Sequence, residues 1–377
     1  MTDLRIALFS GNYHHTRDGV TLTLNRLVAY LESQGIQVRV IAPESKSPFM
    51  KHSGTLIGAP SVPIPGRPEY RFTTGLPASI KRELEDFNPN LVHIATPDRL
   101  GHKAQQWAIS KNIPVVASYH THFVSYLKYY KLGFLENWVW NIAFNFYGKC
   151  EHVYIPTQSM ADLLAEHGIT KGTKIWARGV ETDLFSPEKR SSEWRKSYGI
   201  SDDDIVVSFV SRIVWEKELA TYAKAVAAVS ARNPRVKAMV VGDGPALEGL
   251  KEMLPEATYV GFVKGEDLAR AYASSDVFMF PSHTETFGNV TLEAMSSGLP
   301  CIVADAIGSK SLVEDGVNGY LAEVKNIDSF ERKLSQITSD DELRKNMGIS
   351  SRTKALEYSW DIINSRLLGY YKEVVDK

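Results

Sequence analysis

Residues 277–300 read VFMFPSHTETFGNVTLEAMSSGLP. Val277–Pro281 is a short, wholly apolar run, as expected of a strand covered on both faces of a parallel sheet. A polar loop follows, then a helix that Gly298-Leu299-Pro300 stops. Strand, loop and helix in that order are the unit of a doubly wound α/β sheet.

The same rhythm extends in both directions. In the C-terminal half, strand-like runs occupy Ile205–Ser211, Ala238–Gly242, Thr258–Phe262, Val277–Pro281, Cys301–Ala304 and Gly319–Val324. In the N-terminal half they occupy Arg5–Ser10, Val38–Pro43, Leu91–Thr96, Val115–Thr121, His152–Thr157 and Lys174–Gly179. Between the first two of these, Leu24, Leu27, Val28 and Leu31 recur at helical spacing, with Gly35 as the stop. Two successive rhythms predict two doubly wound α/β domains, and 377 residues are enough for two cores. Ser186–Asp204 is polar and reads as a linker with a short helix. Ser359–Val375, with Trp360, Ile363, Leu367, Leu368 and Tyr371 at helical spacing, predicts a terminal helix.

Composition narrows the function classes. Lys and Arg total 43 against 44 Asp and Glu, which argues against a general nucleic-acid binder. Cys150 and Cys301 alone cannot make a disulfide scaffold or a cysteine-rich zinc site, and they suit a reducing cytosol. Met1–Phe9 carries neither a long apolar region nor a small-residue cleavage site, so no secretory signal is expected. No stretch suits a spanning helix: Trp138–Tyr147 is short and carries Asn141 and Asn145. Residues 1–185 hold 19 Lys and Arg against 15 Asp and Glu, leaving 24 against 29 for the rest. A half of that sign suits anionic headgroups, and scatter over solvated faces explains it as well.

In doubly wound sheets, ligands bind beyond the carboxyl ends of the strands. After the first strand comes Gly11–Val20, whose Gly11 and Gly19 allow a tight loop before a helix N-terminus. It is not the G-x-G-x-x-G of a nicotinamide site. Ser118-Tyr119-His120-Thr121-His122 follows the fourth strand. Without a third ligand nearby, His120 reads as a hydrogen-bonding group at a strand tip rather than a metal ligand. Ser211–Lys217 places Arg212 and Lys217 around a turn, where two cations fit a diphosphate. A surface pairing with Glu216 or Glu218 is the alternative. Val241-Gly242-Asp243-Gly244-Pro245 is a glycine turn that lets a ligand approach the backbone, and Val260–Val263 offers a strand edge for a nucleobase. Glu285 in the loop and Glu293, expected about two turns into the helix, suit sugar hydroxyls, and the helix N-terminus near Gly288 suits an anion.

At this point the chain resembles the retaining glycosyltransferases of family 4. The pattern Glu285-x7-Glu293 within PSHTETFGNVTLEAMSSGLP carries the resemblance, together with VGDGP at 241–245, AYASSDVFMFPS at 271–282 and ARGVETDLF at 177–185. Two departures stand out: the family usually has glycine where this chain has Ser211 and Glu218, and a hydrophobic residue where it has Asn289. SYHTH and LEAMSSGLP are similar to two subgroups, the GDP-mannose-dependent α-mannosyltransferases acting on lipid or glycolipid acceptors, and the sulfolipid synthases that use a UDP-sugar and diacylglycerol. Both stay open.

The resemblance implies the GT-B fold, two Rossmann-like domains facing a cleft, with the C-terminal helix crossing back to the first. The acceptor domain would comprise residues 1–185 plus 359–377, and the donor domain 186–358. It implies a retaining hexosyltransferase that needs no metal and no cofactor beyond its nucleotide-sugar donor. GDP-mannose is favoured; a UDP-sugar-dependent sulfoquinovosyl- or glucosyl-diacylglycerol synthase is the alternative, and an inactive nucleotide-sugar-binding protein is the alternative of another class. Residues implied in catalysis are His120, Arg212, Lys217 and Glu285; those implied in donor binding are Gly19, Gly242, Val263, Phe287, Gly288, Asn289 and Glu293. The expected setting is the cytoplasm, with peripheral contact at an anionic inner membrane face. Phe123–Tyr147, dense in aromatics and carrying Lys128 and Lys131, suits such contact, against a buried helix pair as the alternative.

Overall fold

The computed structural model describes residues 3–15, 19–45, 48, 50–64, 67–119 and 133–376. The chain divides into two compact units, Met1–Ala177 with Asp361–Lys377, and Arg178–Trp360.

The first unit runs β1 (Arg5–Phe9), α1 (Gly19–Ser33), β2 (Gln37–Pro43), β3 (Thr55–Ala59), β4 (Ser61–Ile64), β5 (Arg67–Thr73), α2 (Ala78–Phe87), β6 (Leu91–Ile94), α3 (Arg99–Ser110), β7 (Val115–Ser118), α4 (Glu136–Tyr147), β8 (His152–Ile155), α5 (Gln158–Glu166) and β9 (Thr173–Ile175). Seven of these strands form one sheet in the order β3-β2-β1-β6-β7-β8-β9, every pairing parallel. β6, β7 and β8 are buried along their whole length, which is why they read as continuous apolar runs. β4 and β5 stand apart as an antiparallel hairpin. Pro63 and Pro68 lie in it, and such residues are tolerated only where a ladder bond is dispensable.

The second unit runs α6 (Ser192–Ser197), β10 (Ile205–Val210), α7 (Leu219–Arg232), β11 (Val236–Val241), α8 (Leu247–Met253), β12 (Thr258–Gly261), α9 (Glu266–Ala273), β13 (Val277–Phe280), α10 (Asn289–Ser296), β14 (Cys301–Ala304), β15 (Gly319–Ala322), α11 (Ile327–Thr338) and α12 (Asp341–Leu356). Its sheet has the order β12-β11-β10-β13-β14-β15, again parallel. Each of the twelve strand-like runs of the sequence overlaps a strand, Lys174–Gly179 only at its first two residues, and two Rossmann-like units result.

Ser186–Asp204 is not a free linker. Arg195 within it is fully buried. Its guanidinium donates to the carbonyls of Ser274 at 2.9 Å and of Ser201 and Asp204 at 2.7 Å each, and pairs with Asp276 at 3.0 Å. Both terminal nitrogens are thus satisfied and only Nε is left over, which lets the cation persist in the interior, so the polar composition hides an internal strut of the second unit.

The last helix, α13 (Trp360–Val375), returns to the first unit. Tyr371 projects from it into the core, where its hydroxyl lies 2.6 Å from Nδ1 of His93, and Ser118 holds the other ring nitrogen. Burial drives the His93 pKa down to about 3, so the imidazole is neutral and serves as a buried peg for the helix.

Candidate functional site

β10 and β13 are hydrogen-bonded neighbours, with Val207 beside Val277. The chain leaves β10 towards β11 and β12 on one side and returns at β13 to build the other, so the strand order reverses at this pair. The loops after the two strands, 211–218 and 281–288, therefore emerge side by side at the topological switch point, where open α/β sheets bind ligands.

The first loop is held by the glycine turn after β11. Ser211 N–H donates to Val241 O at 3.1 Å, Ile213 N–H to Asp243 O at 2.9 Å and Ala246 N–H to Ile213 O at 3.0 Å. Gly242 has φ 133°, and a Cβ there would lie 1.9 Å from the Ser211 carbonyl oxygen. Only glycine fits so close an approach.

Lys217 ends a short 3-10 turn and is buried. Its ammonium lies 2.5 Å from Oε1 of Glu285 and 3.4 Å from the hydroxyl of Thr284. Glu216, a partner considered from the sequence, is at 3.9 Å. Ser282 donates to the same Glu285 oxygen at 3.1 Å. The two loops are joined a second time by the Thr284 hydroxyl, which donates to Glu216 Oε1 at 3.1 Å, and Glu218 Oε1 lies 3.4 Å from His283 Nδ1. Glu218 adopts φ 58°, ψ 43°, the left-handed conformation natural to glycine. The backbone thus keeps the conformation a glycine would give it, at a cost of about 1–2 kcal/mol. Arg212 is exposed, and its side chain has no hydrogen bond or ion pair among the described residues.

The second loop leads into α10. Phe287 and Gly288 are buried before its first turn, and Asn289, its first residue, is exposed as suits a polar side chain. Gly308, after β14, backs this loop: a Cβ on it would lie 2.4 Å from Glu285 O and 3.1 Å from Phe287 N. Glu293 is the fifth residue of α10, one turn in rather than two. Tyr272 of α9 donates its hydroxyl to Glu293 Oε2 at 3.1 Å. Burial raises the Glu293 pKa to about 7; the tyrosine bond opposes the rise and the nearby Glu181 adds to it. Val263 is half-buried just beyond β12, beside Phe262, which is 68% exposed.

The second unit thus brings together Lys217, Glu285, Phe287 and Gly288, with Gly242 beneath the Lys217 loop and Glu293 on the helix that follows Gly288. Of the remaining residues singled out, Gly19 is the exposed first residue of α1 in the first unit, and His120 lies outside the described residues. The switch point of the first unit lies between β1 and β6. There Gly11 N–H donates to Thr96 Oγ1 at 2.7 Å, and Asp98 caps α3 through Gly101 N–H at 2.8 Å. Sequence reasoning passed over Ser282, Thr284, Gly308 and Tyr272. Tyr272 sits in the quoted AYASSDVF, and Gly308 at a strand tip, where the search for strand-end residues could have found it. Among the described residues, no group of three His, Cys, Asp or Glu side chains is arranged to hold a metal.

The described part of Phe123–Tyr147 is not wholly buried. Trp140, Phe146 and Tyr147 face inward, but Phe134, Trp138 and Ile142 are 79%, 61% and 36% exposed. Among the described residues, no helix is long and apolar enough to cross a membrane.

Comparison with known proteins agrees with this architecture. Residues 190–354 match the family model described as glycosyl transferases group 1, and residues 17–184 match that of glycosyltransferase family 4. The chain is 31% identical over 377 residues to a GDP-mannose-dependent alpha-mannosyltransferase of Corynebacterium glutamicum, covering 99% of this chain and 89% of that one. It is 30% identical over 349 residues to the sulfoquinovosyl transferase SQD2 of Arabidopsis thaliana, covering 90% of this chain and 68% of that one. Among solved structures, Anabaena HepE in complex with UDP and glucose superposes with a TM-score of 0.72 at 19% identity, over 98% of this chain and 99% of that one. Sucrose-phosphate synthase of Thermosynechococcus elongatus gives 0.75 at 19% identity, over 99% of each chain.

Proposed function

The chain belongs to the family 4 glycosyltransferases of GT-B fold, and from that premise we propose that it moves a hexosyl group, with retention, from a nucleotide-diphosphate sugar to a lipid or glycolipid acceptor without a metal. GDP-mannose is the favoured donor, since a mannosyltransferase named for it is 31% identical over nearly the whole chain. The observation that carries the reading is the pair of buried Lys217 with half-buried Glu285 at the switch point of the second sheet.

Departure of the nucleotide diphosphate builds negative charge on its oxygens. Arg212 and Lys217 supply positive charge, and the N-terminus of α10 supplies oriented N–H groups. Charge-assisted bonds of this kind contribute about 1.5–3 kcal/mol each. Glu285 fixes Lys217 and, with the amides of Phe287 and Gly288, receives the sugar. Glu293 accepts from the ribose hydroxyls, Gly242 lets the donor approach the backbone, and Asn289 and Val263 extend the contact towards the rest of the nucleotide.

A thermal-shift panel of GDP-, UDP- and ADP-sugars tests this. A ligand at 100 times its Kd stabilises by about 2.7 kcal/mol, and the absence of a shift with every one overturns the reading. Transfer should survive EDTA; complete loss restored by Mn²⁺ removes the metal-free mechanism. A UDP-sugar donor with diacylglycerol as acceptor is the second reading, favoured by the likeness to the sulfoquinovosyl transferase. The exposed Phe134, Trp138 and Ile142, spaced four residues apart, support peripheral contact with an anionic membrane at its cytoplasmic face. Absence of flotation with anionic vesicles removes that part.

A further inference from the structure

The hydroxyl of Tyr272 is buried completely, and its one hydrogen bond among the described residues goes to Oε2 of Glu293. A buried phenol needs a partner, but this bond does more than satisfy the tyrosine. It takes one carboxylate oxygen of a partly exposed glutamate and leaves Oε1 without a partner among the described residues. The tyrosine ring is itself fixed, edge-on to Phe185 at 5.8 Å and tilted against Phe278 at 6.0 Å. Phe185 is tied down in turn, its carbonyl accepting from Ser296 Oγ at 2.7 Å and from Arg352 at 2.8 Å.

We propose that Tyr272 is the positioning residue of the nucleotide site: its hydroxyl holds one oxygen of Glu293 and presents the other to the ribose hydroxyls. The inference rests on the proposed role of Glu293 in donor binding. A donor bond to a carboxylate favours its ionised form, the form that can accept from both ribose hydroxyls at once. The ionisable groups facing Glu293 are Tyr272 from α9 and Glu181 from the segment preceding α6, and Cys301 of β14 lies near the tyrosine. Burial and Glu293 keep the phenol protonated far above its usual range, so Tyr272 remains a donor across the working pH. Glu293 itself titrates near neutrality, and the tyrosine bond lowers the pH at which it ionises.

The test is calorimetric titration of GDP and UDP, and of their 2′-deoxy forms, between pH 6 and 9. Wild-type affinity should fall as pH drops through about 7. Tyr272→Phe should move that midpoint upward, weaken ribonucleotide binding several-fold at pH 7 and shrink the penalty for the 2′-deoxy form. It should change nothing when added to Glu293→Gln. Site-specific 3-fluorotyrosine at position 272, a stronger donor of nearly the same shape, should move the midpoint down, and it keeps the test open if the phenylalanine variant does not fold. An unchanged midpoint in either variant, with wild type still binding, overturns the positioning role and leaves the donor site standing. No binding of either nucleotide by wild type at any pH overturns both.

Discussion

The two sheets reverse their strand order at the same kind of place, between β1 and β6 in the first unit and between β10 and β13 in the second, yet the tips are chemically unlike. At the first, an amide of Gly11 donates to the Thr96 hydroxyl and Asp98 is spent on capping a helix. The second carries a buried ammonium, two carboxylates joined to it or beside it, an exposed guanidinium and a left-handed glutamate. One fold therefore supplies one strand tip built on a hydroxyl bond and a helix cap and another built around an ammonium–carboxylate pair. The difference lies in the loops, because the sheets need only apolar strands.

The comparison breaks most visibly at its cations. Arg212→Ala and Lys217→Ala are each expected to lower turnover by a factor of about 100 or more, as loss of a preorganised charge at a transition state does. The two should separate in thermal stability. Arg212 is exposed and unpaired among the described residues, so its loss should leave Tm unchanged. Lys217→Ala strands a partly buried Glu285 and should cost about 1–3 kcal/mol. Steady-state rates and melting curves of both variants decide; near-normal rates in both would sink the charge-rich assignment.

Backbone geometry comes next. Gly242→Ala meets the Ser211 carbonyl and an unfavourable φ together, so a loss of about 2 kcal/mol or more is expected from chemical denaturation. A variant as stable as wild type would show that the turn does not rest on the Arg212 loop.

A third expectation concerns pH. Glu293 holds its proton more tightly folded than unfolded, since its pKa is raised from 4.5 to about 7. The favourable contribution is complete below pH 4.5 and is lost as pH rises through about 7, where the folded chain must also ionise. Glu293→Gln should therefore be more stable than wild type at pH 8, by about 2 kcal/mol, and the gain should vanish near pH 4. Equal stabilisation at both pH values would show that ionisation of this carboxyl is not what costs stability.

The legibility of the sequence follows the same division. Strands buried on both faces announce themselves, so β10, β13 and β14 were plain. The β4–β5 hairpin was not, because strands carrying Pro63 and Pro68 look like loop, and neither was β3, a five-residue edge strand with Gly58 inside it. Lys217 and Glu285 each stood out by residue type and strand-tip position. Their joining did not, because only the register of β10 against β13 sets them 2.5 Å apart. Ser186–Asp204 reads as a linker for the opposite reason: it is polar in sequence, yet its Arg195 is buried in space, satisfied by three carbonyls and by Asp276, all distant or non-obvious in sequence.

The smallest expected effect sharpens the first-unit side. Thr96→Val keeps the shape of the side chain and removes only the acceptor for the Gly11 amide, so stability should fall by about 1 kcal/mol. Because a neutral bond is barely screened, that loss should be the same at low and high salt. The proposed cations for the diphosphate lie in the other unit, so affinity for GDP or UDP should stay within about twofold, less than 0.5 kcal/mol. A tenfold loss of nucleotide affinity in this variant would mean that the Thr96–Gly11 tip takes part in holding the diphosphate, and the contrast between the two strand tips would then be one of strength rather than of kind.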